Sequence, residues 1–352
     1  MQDEEFLDKS LPVDRKDAAG AQLPKDSSQP WLLHSLPVNA LNFCAFGMLF
    51  LQTRSHQQEP PTDSSQASSD DATQQSTLIA VPNALNSGAI DIFHLPSERR
   101  VSTIPADTSS NTGMVMAVHL LVFSSGELYA TCGYEDGHVM VFVRRSRLEE
   151  QDVMARVNGS SNPWKWEKSY SSRPHTQPVL SIDVASSKDH FLSSSADAAL
   201  VKHPIPTLSA VTGHVEKSPL RSVNTKHSGQ QGLRIRSDGK VFATAGWDCR
   251  IRVYSCKTMK ELAVLKWHQD GCYAAAFAEI STDSTDVNNS LPTTASSPKP
   301  QDEPQYENDQ IARRDGGSSL VEVQRQRNQK TQRTHWLAAG SKDGKISLWD
   351  IY

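Results

Sequence analysis

Apolar and polar positions alternate in short runs along this chain, with Ile346 and Leu348 set against Lys345 and Ser347 as the clearest case. A period of two is what a strand with two chemically different faces requires, because successive side chains point to opposite sides of the sheet. Four such runs share a longer phrase: LYATCGYEDGHVMVF (Leu128 to Phe142), FLSSSADAALVKH (Phe191 to His203), VFATAGWDCRIRVY (Val241 to Tyr254) and HWLAAGSKDGKISLWDIY (His335 to Tyr352). In each, small or hydroxyl residues close one strand and an acidic residue makes the turn. An aromatic residue or a histidine then falls six positions after the acid, giving the pairs Asp136/Phe142, Asp197/His203, Asp248/Tyr254 and Asp343/Trp349. Asp136-Gly137 and Asp343-Gly344 suit two-residue hairpins, since glycine tolerates positive φ and aspartate bonds the local backbone. The pattern therefore gives these acids a structural role first.

A fifth, weaker copy comes earlier: His34 to Phe46, a polar insertion, then Thr77 to Phe93, with Ser87-Gly88 in place of Asp-Gly. Residues 3 to 8 are short and fit the outermost strand of a preceding unit. Two stretches rich in Ser, Thr, Gln, Pro and Asp, 52–76 and 281–333, carry too little apolar surface to offset their ordering entropy and read as disordered insertions. Each interrupts a repeat between its first and second strands, after Phe43 to Phe46 and after Ala274 to Phe277, so both are expected to leave from the same face. A third irregular segment, Arg144 to Arg173, contains WKWEKSY (Trp164 to Tyr170), read as an outer strand with both tryptophans packed on neighbours.

Repeats of this length ending in Trp-Asp resemble the WD40 repeat, which implies an all-β propeller. Residues 1–352 are then one propeller of about five recognisable blades, each of four antiparallel strands. The resemblance also implies a buried network in each blade: a His before the first strand, a Ser or Thr in the second, the turn Asp and the third-strand Trp. Onto this chain it maps unevenly. It gives His175 with Asp197; His227, Thr244 and Asp248 with Tyr254 in the Trp position; and His268, Asp343 and Trp349, with Ala339 where the hydroxyl belongs.

The formal net charge of −4 gives no reason to expect nucleic acid or an acidic membrane as the main partner. The basic run Arg325 to Arg333 is the local exception, read first as a solvated loop and second as an import signal or weak nucleic-acid contact. Neither a signal peptide, a transmembrane run nor a lipidation motif is found, which points to cytosol or nucleus. Five cysteines without a C-x-x-C pair argue against a disulfide framework or a zinc site. Nucleophile elbows, Walker loops, Rossmann glycines and His-Glu zinc helices are absent, so neither enzyme nor cofactor is expected. Residues that break the repeat are better functional candidates. Trp247 stands where the other copies have Glu135, Ala196 and Lys342, and Arg250 and Trp267 lie near the same rim. Exposed Trp and Arg are typical interface anchors, although Trp247 covering its own turn is an equal reading.

Three phrases, Pro30 to Met48, Gly246 to Ala278 and the terminal blade, are similar to the fungal ASTRA-associated protein 1 family. That resemblance implies a nuclear, non-catalytic scaffold of the ASTRA assembly, acting in chromatin remodelling or maturation of kinase-related proteins. The implied partners are a Tra-type pseudokinase, RuvB-like ATPases and the Tel/Tti co-chaperone. Members resemble propellers of about seven blades, so two N-terminal blades are expected upstream of this chain's first copy, and without them two strand edges and two blade faces are left uncovered. The alternatives are a ubiquitin-ligase substrate receptor, against which Trp349-Asp350-Ile351 ends in Tyr352 rather than Arg, and a G-protein β-like adaptor, for which no heptad helix is found.

Overall fold

A computed structural model describes residues 32–40, 44–51, 76–159, 162–207, 215–280, 327, 331 and 334–351. The chain divides into two units, Met1–Ser35 and Leu36–Tyr352. Of the first unit only 32–35 are described, and the expected strand at residues 3 to 8 lies outside the described residues. The second unit holds five antiparallel sheets in chain order. The first blade is β1 (Gly47–Phe50), β2 (Thr77–Pro82), β3 (Ile90–Leu95) and β4 (Arg99–Ile104). The second is β5 (Val115–Val122), β6 (Glu127–Tyr134), β7 (Val139–Arg147) and β8 (Glu167–Ser172). The third is β9 (Val179–Val184), β10 (His190–Ser195), β11 (Ala199–Pro204) and β12 (Arg221–Asn224). The fourth is β13 (Gln230–Ile235), β14 (Val241–Gly246), β15 (Arg250–Ser255) and β16 (Glu261–Lys266), and the fifth has three strands, β17 (Cys272–Phe277), β18 (Trp336–Ser341) and β19 (Ile346–Asp350). The WD40 propeller architecture read from the repeats is what the chain adopts.

The second strands of the central blades are the most buried, β10 and β14 along their whole length and β6 at all but its first residue, because each is covered on both faces. Small residues there, such as Ala130, Ser193 and Ala243, let the blades approach closely. Each blade's first strand packs against the blade before it, β5 on β1 and β2, β9 on β5 and β6, β13 on β9 and β10, β17 on β13 and β14. The core is accordingly a series of interblade layers. One joins Leu78, Ile92 and Leu120 between the first two blades; another joins Val241, Ile251 and Leu337 between the last two. At the two ends of the series apolar residues are exposed: Phe46, Met48 and Phe50 on one side, Ile346 and Leu348 on the other.

Three details differ from the sequence reading. The first strand before the 52–76 insertion is Gly47–Phe50, later than Phe43 to Phe46, because Leu51 N–H donates to the Ser76 carbonyl and closes the insertion at its root. The segment Arg144 to Arg173 contains a helix, α1 (Glu150–Val157), with one buried residue, Val153, and an Arg156 guanidinium that donates to the Val101 carbonyl of β4. Trp164 and Trp166 precede β8 instead of lying in it; the Arg144 guanidinium stacks 4.6 Å from the Trp164 ring and the Trp166 indole N–H donates to Ser102 Oγ. Both insertions do fall between first and second strands. Residues 52–75 are outside the described residues, as is most of 281–333, within which Arg327 and Thr331 have helical backbone and the Thr331 carbonyl accepts the Trp336 indole N–H.

Candidate functional site

Whether a polar side chain is available to a ligand depends on what it already holds, and the third blade uses its polar residues internally. Tyr170 OH lies 2.8 Å from His203 Nδ1, His203 Nε2 2.8 Å from Ser193 Oγ, and Ser193 Oγ 2.7 Å from His175 Nε2. His175 Nδ1 is 3.2 Å from Asp197. One proton arrangement satisfies all five groups: Nδ1–H of His175 donates to the carboxylate, and every preceding hydroxyl or ring N–H donates one step along the chain towards Asp197. Burial holds the His203 pKa well below its ordinary value, so this ring is neutral, and raises Tyr170 to about 12. Asp197 is lowered: burial opposes this, but bonds from His175 and the Thr176 and Ala199 N–H groups outweigh it.

The fourth blade departs from the expected set. His227 does not join Thr244 and Asp248. Gln230, the first residue of β13, takes that place: its Oε1 accepts from Thr244 Oγ1 at 2.9 Å and from Tyr254 OH at 3.4 Å. Its Nε2 donates to Thr225 Oγ1 and the His227 carbonyl. An amide supplies donors and an acceptor together, so it reaches what an imidazole at 227 does not. Asp248 turns instead to the buried Arg252 guanidinium in a bidentate pair of 3.0 and 2.6 Å, with Glu261 3.4 Å from Nε.

In the fifth blade His268 Nδ1 lies 3.2 Å from Asp343, as expected, but the hydroxyl that Ala339 lacks comes from Ser347, which faces Ala339 directly across the β18–β19 ladder. Ser347 Oγ is 2.9 Å from His268 Nε2 and accepts the Trp349 indole N–H at 2.9 Å. Ser347 and Arg252 both stand two residues before the third-strand aromatic, on its strand face. A polar residue at that offset was the signal available in the sequence; the expectation of a hydroxyl on the second strand hid it.

All five cysteines are free, and burial pushes Cys256 and Cys272 up to about 11 and Cys44 to about 12, so these three stay protonated thiols. Among the described residues no cluster of three metal-ligating side chains occurs, and no helix is long and apolar enough to cross a membrane.

The exposed candidates share one rim. Trp247 is 45% exposed, yet its indole is fixed: Nε1–H donates to Gln231 Oε1 at 2.8 Å, and the ring lies on Gly229, where a Cβ would sit 2.3 Å from it. Gly229 has φ of +71°, a second reason for glycine there. Trp247 thus covers its own turn and presents an aromatic face. Arg250, half exposed, stands 3.9 Å from Asp248 on the same turn. The loop before β17 completes the rim: Gln269 accepts from Cys249 Sγ–H, Gly271 accepts from Lys342 N–H, and Tyr273 OH lies beside Gly271. Trp267, 53% exposed, packs edge-on against His268 at 4.9 Å, with Lys345 Nζ 5.8 Å from its ring. The structure therefore brings Trp247, Arg250 and Trp267 onto one edge of the fourth and fifth blades and adds Tyr273 and Lys345, which the sequence reading missed.

The chain matches the WD domain, G-beta repeat family over residues 208–255 and 331–350. It is 57% identical to the ASTRA-associated protein 1 of Aspergillus niger over its whole length and 78% of that relative. It is 42% identical to the protein of that name from Verticillium alfalfae, over 99% of this chain and 72% of the relative. The protein so named from Schizosaccharomyces pombe is 32% identical over 74% of this chain and 65% of its own length.

Proposed function

The chain belongs to the ASTRA-associated protein 1 family, and on that premise we propose that it is a non-catalytic WD-repeat scaffold subunit of an ASTRA assembly, working in the nucleus. The observation that carries this reading is the division of labour among its polar and aromatic residues. The His, Asp and Ser side chains that chemistry would need are bonded to one another inside the third and fifth blades, whereas Trp247 and Trp267 are exposed and Arg250 is half exposed on a rim whose backbone is tied down. Aromatic side chains held rigid before binding lose little entropy on association, which is the property of an interface anchor. The partners we assign to the rim are protein subunits of that assembly, a Tra-type pseudokinase, RuvB-like ATPases or the Tel/Tti co-chaperone. Chromatin remodelling or maturation of kinase-related proteins is the process it serves.

The test is affinity purification of the tagged chain from nuclei of the source fungus, followed by mass spectrometry. Recovery of those subunits by the native chain, and their loss from Trp247→Ala and Arg250→Ala variants with unchanged melting temperature, is the expected result. A monodisperse chain with no such subunits overturns the proposal.

A further inference from the structure

Residues 216–222, between the outer strands of the second and third blades, are all exposed, and no other exposed run among the described residues is as long. Both ends of the run are fastened. Glu216 N–H donates to the Ser169 carbonyl at 3.1 Å and its carbonyl accepts Ser171 N–H at 2.9 Å, which ties it beside β8. Leu220 N–H donates to the Lys202 carbonyl at 2.8 Å and leads into β12, the edge strand of the third blade. Lys217, Ser218 and Pro219 span the gap. One side chain holds both N–H groups of that span: Glu216 Oε1 accepts from Lys217 at 3.2 Å and from Ser218 at 3.0 Å. A residue before proline is driven to extended backbone, so Ser218 is presented open between two anchors.

Its hydroxyl is free. Ser218 Oγ makes no hydrogen bond among the described residues, whereas the exposed Ser109, Ser125, Ser186 and Ser187 each donate to a nearby carboxylate or carbonyl. The residues after it are specific too. Of the chain's 19 prolines, Pro219 and Pro298 alone follow a serine or threonine. Ser218-Pro219-Leu220-Arg221 has a basic residue three positions after the serine, where Ser297-Pro298 has Pro300. Proline offers no N–H, so it suits an enzyme cleft that would leave a donor there unpaired, and arginine supplies a charge-assisted contact beyond it. Leu220 is 57% exposed and the Arg221 side chain holds no partner among the described residues. Pro219 also blocks strand pairing at this edge, but edge protection needs neither a free serine hydroxyl nor an arginine at 221.

We propose that Ser218 is a phosphorylation site for a proline-directed protein kinase, presented by the extended span between the second and third blades. Ser218 Oγ attacks the γ-phosphorus of a nucleoside triphosphate; the new O–P bond forms as the bond from that phosphorus to the β–γ bridging oxygen breaks. The nucleoside diphosphate leaves, and the hydroxyl proton passes to the carboxylate base of the kinase. The product places a charge of about −1.5 to −2 beside the Glu216 carboxylate and between Lys217 and Arg221. None of these residues belongs to the rim of the fourth and fifth blades.

The experiment incubates the full chain with a recombinant cyclin-dependent kinase and magnesium ATP, beside a free peptide of residues 215–225, and locates phosphate by mass spectrometry. Ser218 of the folded chain should be modified at a rate within about tenfold of the peptide, since no unfolding need precede the reaction. Pro219→Ala, an exposed change whose folding a thermal melt checks, should slow it about tenfold or more, because the added N–H is left unpaired in the cleft. Ser297→Ala and Trp247→Ala should leave Ser218 modification unchanged, so failure here and failure of the rim reading are told apart. Absence of phosphate on Ser218 in both chain and peptide, modification of the peptide with the folded chain left untouched, or indifference to Pro219→Ala overturns the proposal.

Discussion

Ser347→Ala tests the network of the fifth blade at its centre. The His268 side chain is fully buried, and its Nδ1 faces Asp343; Nδ1–H therefore donates to the carboxylate and Nε2 accepts from the Ser347 hydroxyl. The same hydroxyl oxygen accepts the Trp349 indole N–H. Alanine at 347 leaves two polar atoms without partners. Each buried, unsatisfied group costs about 1–3 kcal/mol, and because Trp349 is only partly buried, water recovers some of its share, so the loss should be about 2 kcal/mol. Ala339 stands opposite and is itself buried, in the position equivalent to Ser193 and Thr244 of the two preceding blades. Ala339→Ser in the Ser347→Ala background should restore roughly half of the loss, whereas alone it should destabilise by about 1 kcal/mol through crowding. Urea unfolding followed by tryptophan fluorescence, with all four members of the cycle, gives the coupling. A loss below about 0.5 kcal/mol for Ser347→Ala, or no coupling to position 339, would refute the claim that Ser347 replaces the missing second-strand hydroxyl.

Arg252→Met removes a buried guanidinium and strands Asp248 and Glu261; it should cost about 2–3 kcal/mol in the same assay, softened from the fully buried case because both carboxylates are partly solvated. Gly229→Ala should displace the Trp247 ring and lower the melting temperature, seen also as a red shift in emission, whereas Trp247→Ala at the exposed rim should change stability much less than it changes partner capture. Stability should also fall with acid. His203, and to a lesser degree His94 and His190, have pKa values lowered by burial, so the unfolded chain takes up protons the folded chain refuses; stability declines as pH falls below about 6.5, and the fully buried His203 contributes a slope of up to about 1.4 kcal/mol per pH unit. Asp197, also lowered, adds a further loss only near and below pH 4. Replacing His203 with glutamine should reduce the slope between pH 6.5 and 5, and an unchanged slope contradicts its neutral, buried state.

The blades were legible because alternation, Asp-Gly turns and the six-residue spacing from acid to aromatic are local, and local geometry is what a sequence writes out directly. Asp136, Asp197 and Asp343 bond the N–H two residues on, as that turn chemistry requires. The networks were legible only where one residue filled one expected position, as His175 and Asp197 do. His227 failed because a glutamine three residues later, already inside the strand, competes for the same groups. Ser347 was invisible because the reading asked which residue occupies the second strand, while the structure asks only that a hydroxyl reach a point between two strands. The helix α1 carries no strong signal of its own; it is held by the nearby Arg144–Asp152 ion pair and by Arg156 across to β4, a contact distant in sequence.

The three-stranded last sheet sets the order in which the molecule would come apart. Its β17 and β18 are joined by roughly sixty residues, where the second, third and fourth blades use four or five, and pairing strands so far apart in sequence costs more chain entropy. Among the described residues it packs on one side only and has no outer strand; it is fastened to the fourth blade by the core around Val241 and Leu337 and by Arg236, whose guanidinium donates to the Ile351 carbonyl at 3.3 Å. Amide protons of β18 and β19 should therefore exchange before those of β6 or β10, and an upward pull on the carboxyl end would peel a single blade and leave the other four standing.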